Sequence, residues 1–465
     1  MRSGIPRVAQ LAGLPALAAL AALADPALAQ RARLESILRD TTLENGLQVI
    51  VVRNRAIPLV SIQMAFRGGA IVQQVPEYAG LPHLIEHILF RSDGGDFAEK
   101  ADAIDADWNG VTDSESVRYF FTIPSRHLGK GIDLMADLVR KPDFGKSVVD
   151  AERKVVQGEL ERRASEPDML LRTEADMMLW GPDGFLVKNA GGNLIALMAA
   201  TPARLTEMYK KFYVPNNAAL IVAGDVEPAD AFSLAARAFR GWRPGPDPMA
   251  GLTATPIQPL KAVAKKIVTA EVKDVTFLIR WQGPSVTKHE AATFAADIFS
   301  GLVNQRASAT QRRLVDSGLL DEVSMNYETL NYVGPISIMA RTSPDRAVSA
   351  ANALGAELKK LVEPDYFTED DLALARTWQE VNAHFRLERS AGAAGSIASF
   401  WSASGLAYFM NYADKLEAQT ATDVRKFVDE WINDKPMAVT VRVSPAAWPT
   451  IGVPLQRALG AWTVP

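Results

Sequence analysis

Leu81, Leu84, Ile85, Ile88 and Leu89 recur at three- and four-residue steps, with Phe90 beside them, and this spacing predicts a helix whose apolar stripe is buried. Pro82 falls in its first turn, where a missing N–H is harmless. A second helix is predicted over 148–163: Val155, Val156 and Leu160 supply the stripe, and Glu152 and Glu159, seven apart, share a face. Ala218 to Asp225 reads as a strand and Pro228 to Phe239 as a helix. Residues 241–251 are then rich in Pro and Gly and end a domain. Beyond them the same order returns. Val275 to Trp281 alternates like a strand, Lys288 to Ser300 reads as a helix, Ile336 to Ala340 echoes Tyr119 to Ile123, and Arg346 to Leu361 echoes the helix after it. The repeat implies an internal duplication of about 200 residues. The expected fold is α+β: two homologous domains, each a mostly antiparallel sheet packed with helices, over 30–240 and 259–465, joined by a linker at 241–258.

Residues 1–29 stand apart. Arg2 and Arg7 precede an Ala/Leu-rich run from Leu11 to Ala24, and Ala27-Leu28-Ala29 is a small-residue cleavage site. This is the pattern of a secretory signal peptide, bacterial in style, and it points to the periplasm. The run is short for a transmembrane helix, and no later stretch is long and apolar enough to span a bilayer. With no cysteine in the chain, disulfides, a thiol nucleophile, thiolate ligands and a lipidated cysteine are all excluded. Net charge is −4, and losing Arg2, Arg7 and Asp25 with the signal takes it to −5, so nothing favours nucleic acid or an anionic surface.

Chemistry concentrates in His83-Leu84-Ile85-Glu86-His87, the pattern H-x-x-E-H, which takes two of the chain's five histidines. On a helix both imidazoles lie on one face and can share a zinc ion, with Glu86 placed to take a proton from water. Polar groups set into an apolar helix are costly to bury without partners. A catalytic zinc needs a third protein ligand and an open position. The charged face holding Glu152 and Glu159 is the candidate source, although spacing alone does not separate it from a solvated helix.

H-x-x-E-H followed by Glu152-Arg153-x-x-Val156-x-x-Glu159, with Glu159 72 positions after His87, resembles the pitrilysin, insulinase and mitochondrial processing peptidase family, in its half-size, zinc-bearing type. Thr42 to Val51 is similar to that family's opening strand, Asn109 to Thr112 followed by Tyr119-Phe120-Phe121 to its substrate-side edge strand, and Asp133 to Leu138 to the next helix. The resemblance implies that His83, His87 and Glu159 hold one zinc per chain. It implies that Glu86 is the general base, that Glu152 supports the site, and that Asn109, Gly110 and Val111 bind substrate as an added strand. The implied activity is hydrolysis of peptides or short unfolded segments. The competing class is a non-catalytic, zinc-stabilised binding or assembly subunit, against which the intact Glu86 argues.

In the second copy Thr293, Ala296 and Asp297 stand where the first has His83, Glu86 and His87, so it cannot hold zinc that way. Active members of the family also carry an Arg and a Tyr seven apart in the second half. Aligned on Gly318-Leu319, those positions are Leu314 and Asp321 here, with Arg312, Arg313, Tyr327 and Tyr332 nearby at other spacings. The resemblance therefore implies a heterodimer with a paralogous chain that supplies the Arg/Tyr pair, a homodimer being the alternative. Elsewhere Ser390-Ala391-Gly392-Ala393-Ala394-Gly395-Ser396 lacks the lysine of a phosphate loop and reads as a flexible helix connection. His127, His289 and His384 have no partner pattern. Tryptophans 401, 431, 448 and 462 are expected in packing, and Leu455 to Trp462 as an extended tail on a neighbour.

Overall fold

The computed structural model describes residues 26–91, 97–252 and 257–465. The apolar run of the expected signal peptide lies outside the described residues, and Ala27-Leu28-Ala29 falls at the start of helix α1 (Pro26–Ile37). The first sheet holds β1 (Leu38–Thr42), β2 (Gln48–Arg53), β3 (Leu59–Arg67), β4 (Asp107–Thr112), β5 (Ser116–Pro124) and β6 (Ala218–Gly224), in the order β1-β2-β6-β3-β5-β4. The second holds β7 (Ala264–Thr269), β8 (Val275–Gln282), β9 (Glu322–Tyr327), β10 (Pro335–Thr342) and β11 (Ala438–Val443), in the order β7-β11-β8-β10-β9. Apart from the added β1 the two orders are the same. Each contains one parallel pair, β2 with β6 and β7 with β11, and the other pairings are antiparallel. The mostly antiparallel α+β duplication expected from the chain's periodicity is the architecture found.

Helices interleave with the strands. In the first half they are α2 (Leu81–Leu89), α3 (Phe97–Asp102), α4 (Leu128–Arg140), α5 (Lys146–Ser165), α6 (Pro167–Leu186), α7 (Leu194–Ala199), α8 (Pro202–Phe212) and α9 (Pro228–Ala238). In the second they are α10 (Val286–Asn304), the single turn α11 (Ala309–Gln311), α12 (Ala347–Lys360), α13 (Glu369–Glu388), α14 (Ser390–Ser404), α15 (Leu406–Glu417), α16 (Ala421–Trp431) and α17 (Trp448–Gly460). β6 is buried along its whole length and β3 along all but its ends, because helices cover both faces of the first sheet; such strands read as continuous apolar runs. β9 sits at an edge and keeps strict in–out alternation.

Each half lends a helix to the other's sheet. Val49, Val51, Val60 and Ile62 pack with α2 and α4 on one face of the first sheet, while Ile50, Val52, Ala65 and Ile221 on the opposite face meet Ala393, Ala394, Ile397 and Trp401 of α14. Reciprocally, Leu171, Ala175, Leu179 and Trp180 of α6 cover Val268, Leu278 and Ala438 of the second sheet. The sequence 390–396 is thus the opening of α14 and not a flexible connection. Its small side chains let the helix lie close on the strands.

Leu455 to Trp462 likewise differs from the expected tail. It belongs largely to α17, Leu455 and Leu459 are buried in the second core, and the Trp462 indole donates to Ala351 O at 3.0 Å. Apolar positions three and four apart bind this segment to its own domain despite Pro454. Trp401 joins the core under α14, and Trp431 and Trp448 pack against the second core. Residues 241–252 carry no helix or strand.

Candidate metal centre

α2 is placed by its apolar side. Leu81, Leu84, Ile85, Ile88 and Leu89 are fully buried, which leaves His83 and His87 facing α5 and Glu86 facing β4. Gly80 caps the helix at φ 84°, a left-handed conformation that favours glycine, with Pro82 in the first turn. The Gly80 N–H donates to the buried Gln73 side chain, whose amide donates in turn to Leu186 O and Asn189 O at 3.0 Å each. The start of the helix is thereby tied to the end of α6 and the residues just after it. α5 runs beside α2, held by buried Val149 and Val156, and presents Glu152 and Glu159 to it.

Nε2 of His83 lies 3.5 Å from Glu159 Oε2, and Nε2 of His87 lies 3.7 Å from Glu159 Oε1. One donor atom from each of the three residues falls within 4.8 Å of the others, the only such cluster among the described residues. These separations are long for hydrogen bonds. They suit a shared ion instead, because bonds of about 2.1 Å in a tetrahedral site set ligand atoms about 3.4 Å apart. The residues present therefore fit zinc. Burial first, then the charges of His87 and Arg163, pull the His83 imidazole down to about 3 and keep it neutral, the form that coordinates metal. Its Nδ1 is buried without a hydrogen-bond partner among the described residues.

A second acidic group of α5 braces the site. Glu152 Oε2 is 3.5 Å from His87 Nδ1, and Glu152 Oε1 accepts from Arg91 Nε at 2.8 Å. Burial would raise the Glu152 carboxyl, but His87 and Arg91 outweigh it and hold it below its ordinary value. Burial would likewise lower His87, but Glu152, Glu159 and Glu86 together raise it.

Glu86 sits apart from the three ligand candidates. It is 6% exposed, and burial pushes its carboxyl up to about 7 even though Thr112 Oγ1 donates to its Oε2 at 2.5 Å. Thr112 ends β4, the edge strand of the sheet. Gly110, two residues earlier, passes so near that a Cβ there would stand 2.5 Å from Glu86 Oε1. The structure thus brings Asn109, Gly110 and Val111 onto an unpaired edge beside Glu86. Thr112 and Arg91 are contacts that sequence reasoning missed. Arg91 lies just past the end of α2, and Thr112, legible in the sequence only as part of the edge strand, reaches Glu86 through sheet pairing.

In the second half α10 follows β8 as α2 follows β3, and the substituted positions make a different cluster. Thr293 Oγ1 meets the Tyr408 hydroxyl at 2.6 Å, and Tyr412 OH donates to Asp297 Oδ2 at 2.7 Å. Leu314 is buried in the core, and Asp321 is paired with Arg346 at 2.6 Å. Of the residues near the expected Arg/Tyr positions, Arg313 grips Glu357 through two bonds, Arg312 donates to Ala307 O, Tyr327 OH donates to Pro284 O, and Tyr332 OH reaches Leu252 O at 3.4 Å. His289 packs against Trp431, and His384 lies 3.5 Å from Arg33. No described helix is long and apolar enough to cross a membrane.

Comparison with known proteins gives this geometry a setting. Residues 48–179 match the profile of the insulinase family, peptidase family M16, and residues 199–377 match that of the M16 peptidase inactive domain. The chain is 25% identical over 362 residues to an uncharacterized zinc protease of Mycobacterium bovis, covering 76% of this chain and 80% of that one. Among solved structures it is similar to a putative M16-like peptidase from Alicyclobacillus acidocaldarius, with TM-score 0.76, 19% identity and coverage of 88% and 98%. It is also similar to the periplasmic protease PqqL from Escherichia coli, with TM-score 0.70 and 19% identity, where it covers 91% of this chain but 50% of that one. The chain belongs to the insulinase family, peptidase family M16.

Proposed function

We propose that this protein is a periplasmic zinc endopeptidase that hydrolyses peptides or short unfolded segments. The observation carrying the proposal is the convergence of His83, His87 and Glu159 beside a buried Glu86 of raised proton affinity. His83, His87 and Glu159 would hold one zinc ion, which when bound supplies Lewis acidity and makes water easier to deprotonate. Glu86 takes that proton and returns it to the leaving amine, an exchange for which its burial raises its proton affinity. Glu152 holds the His87 ring by its Nδ1 side. The free edge of β4 receives the peptide as an added strand through Asn109, Gly110 and Val111, which gives affinity with loose sequence preference.

Residues 30–240 form the zinc-bearing domain and 259–465 its homologue without metal. The secretory pattern of residues 1–29 supports a periplasmic location. With Leu314 buried and Asp321 bound to Arg346, this chain offers no donor pair at those positions for a developing oxyanion. The chain therefore works as one half of a heterodimer whose paralogous partner carries the Arg and Tyr.

The test compares two variants for zinc content and for turnover of a quenched peptide library, each with and without the paralogue. Glu86→Gln should keep zinc and lose about 10²–10⁴-fold in turnover. Glu159→Gln should lose zinc itself. Substantial turnover by Glu86→Gln would remove the general base, and full activity of the lone chain would remove the two-chain reading.

A further inference from the structure

A second cavity, of about 320 Å³, lies where α1, the ends of β2 and β6, and the α13–α14 junction meet. The metal-bearing α2 packs on the opposite face of the first sheet from α14, so the cavity is separate from the candidate metal centre. Its floor is apolar, built from Leu34, Ile37, Val52, Leu387 and Ala393. Its rim is basic, with Arg33, Arg53, Arg55 and His384. α14 begins at this cavity with Ser390 and has no side-chain cap, which leaves the N–H groups of its first turn pointing out of the helix.

Two observations indicate a ligand. Ser390 lines the cavity at 8% exposure, and its hydroxyl has no hydrogen-bond partner among the described residues. Arg33 has no carboxylate partner among them either; its guanidinium lies 3.5 Å from His384 Nδ1. Opposing groups are near: Glu227 pairs with Arg53 and Arg55, Asp225 with Arg55, and Glu380 lies 3.7 Å from His384. Arg33, Ser390 and the helix N-terminus remain unspent and converge on one place.

The geometry points to a binding site for a phosphorylated amphiphile, its phosphoryl group on Arg33, Ser390 and the first turn of α14 and its apolar chain over Leu34, Ile37 and Leu387. Several donors arriving from different directions suit a tetrahedral oxyanion, and the floor suits a short hydrocarbon chain. Such a group could belong to a soluble phosphate ester or to a membrane lipid.

Calorimetric titration of the full chain with hexyl phosphate and with inorganic phosphate tests the site. Hexyl phosphate should bind saturably, one per chain, and about tenfold or more tightly than inorganic phosphate, because methylenes are buried. Arg33→Ala should weaken it about tenfold and Ser390→Ala about threefold. Arg31→Ala should change nothing, since Arg31 is occupied by Glu35 and Asp414. Near-ultraviolet circular dichroism checks that each variant is folded. Sedimentation with phosphatidylglycerol vesicles, reversed by hexyl phosphate, would identify a lipid as the source, and hexyl phosphate binding without sedimentation would identify a soluble ester. No saturable binding, no preference over inorganic phosphate, or affinity unchanged in both Arg33→Ala and Ser390→Ala overturns the proposal.

Discussion

Helices α2 and α10 stand at equivalent places beside sheets of the same strand order, yet their polar faces do opposite things. On α2, His83 and His87 turn to a carboxylate at distances too long for good hydrogen bonds, and His83 Nδ1 has no partner among the described residues. On α10, Thr293 and Asp297 are each closed by a tyrosine hydroxyl at 2.6 and 2.7 Å. α15 delivers both tyrosines, and in the first half the corresponding position after α6 is taken by the short α7, which offers none. One scaffold therefore supports an arrangement of donors suited to a cation and another satisfied within the chain. The difference lies in a handful of side chains, since the helices and strands that carry them match.

The sharpest way to break the contrast is at Gly110. No counterpart of Glu86 exists on α10, where Ala296 occupies that position. On the α2 side a Cβ at position 110 would lie 2.5 Å from Glu86 Oε1 and 2.8 Å from both Glu86 Cγ and Phe90 Cε2. Gly110→Ala must displace Glu86 or the edge strand, and misplacement by about 1 Å costs on the order of 10²-fold in turnover. Zinc content should be unchanged, because His83, His87 and Glu159 are untouched. Peptide turnover and metal analysis on the same preparation check this; wild-type turnover would mean that β4 and Glu86 do not work together.

Much of that contrast was readable in the chain. Helical periodicity puts His83, Glu86 and His87 together on one short helix, whereas Glu159 is singled out by the resemblance, since spacing alone does not separate its helix from a solvated one. The duplication was readable because strand and helix patterns recur in the same order. The exchange of α6 and α14 between sheets was not. Ser390 to Ser396 is small and featureless locally, and its role comes from strands more than 300 positions away, such as Ile50 and Val52. Tyr408 and Tyr412 were invisible for the same reason, because they reach α10 across about 115 positions of sequence and answer no local pattern. The segment 455–462, expected as an extended tail, keeps a helical step that carries Leu455 and Leu459 into the core.

On the α10 side, Tyr412→Phe removes the donor to Asp297 and leaves a carboxyl group at the cluster without it. Losing one partner of a buried polar pair costs about 1–3 kcal/mol. Urea unfolding at neutral pH should show a drop of that size, with peptide turnover per folded molecule unchanged. A comparable loss of zinc would mean that the two clusters are coupled, not independent solutions on one scaffold.

The smallest expected effect tests what Asp297 contributes as pH changes. Burial pushes its carboxyl up to about 7, while the Tyr412 hydrogen bond and then Arg386 of α13 oppose the rise; Tyr327 of β9 and Tyr408 of α15 are the other titratable groups facing it. A free aspartate titrates near 3.9, so between about pH 4 and pH 7 the folded chain holds a proton that the unfolded chain has released. Its contribution to stability is therefore fully present below about pH 4 and is lost as pH rises through about 7. Asp297→Asn cannot ionise and should gain on the wild type across that window. Asp297 also borders a cavity of about 710 Å³, whose water screens the charge, so the gain should be modest, about 1 kcal/mol between pH 5 and pH 8. Taking the difference between variant and wild type at each pH cancels the titration of Glu86 and Glu115, which both chains share. A difference that does not grow from pH 5 to pH 8 would show that Asp297 ionises as freely as a surface carboxylate, and that the second cluster is less sealed than its two tyrosine contacts imply.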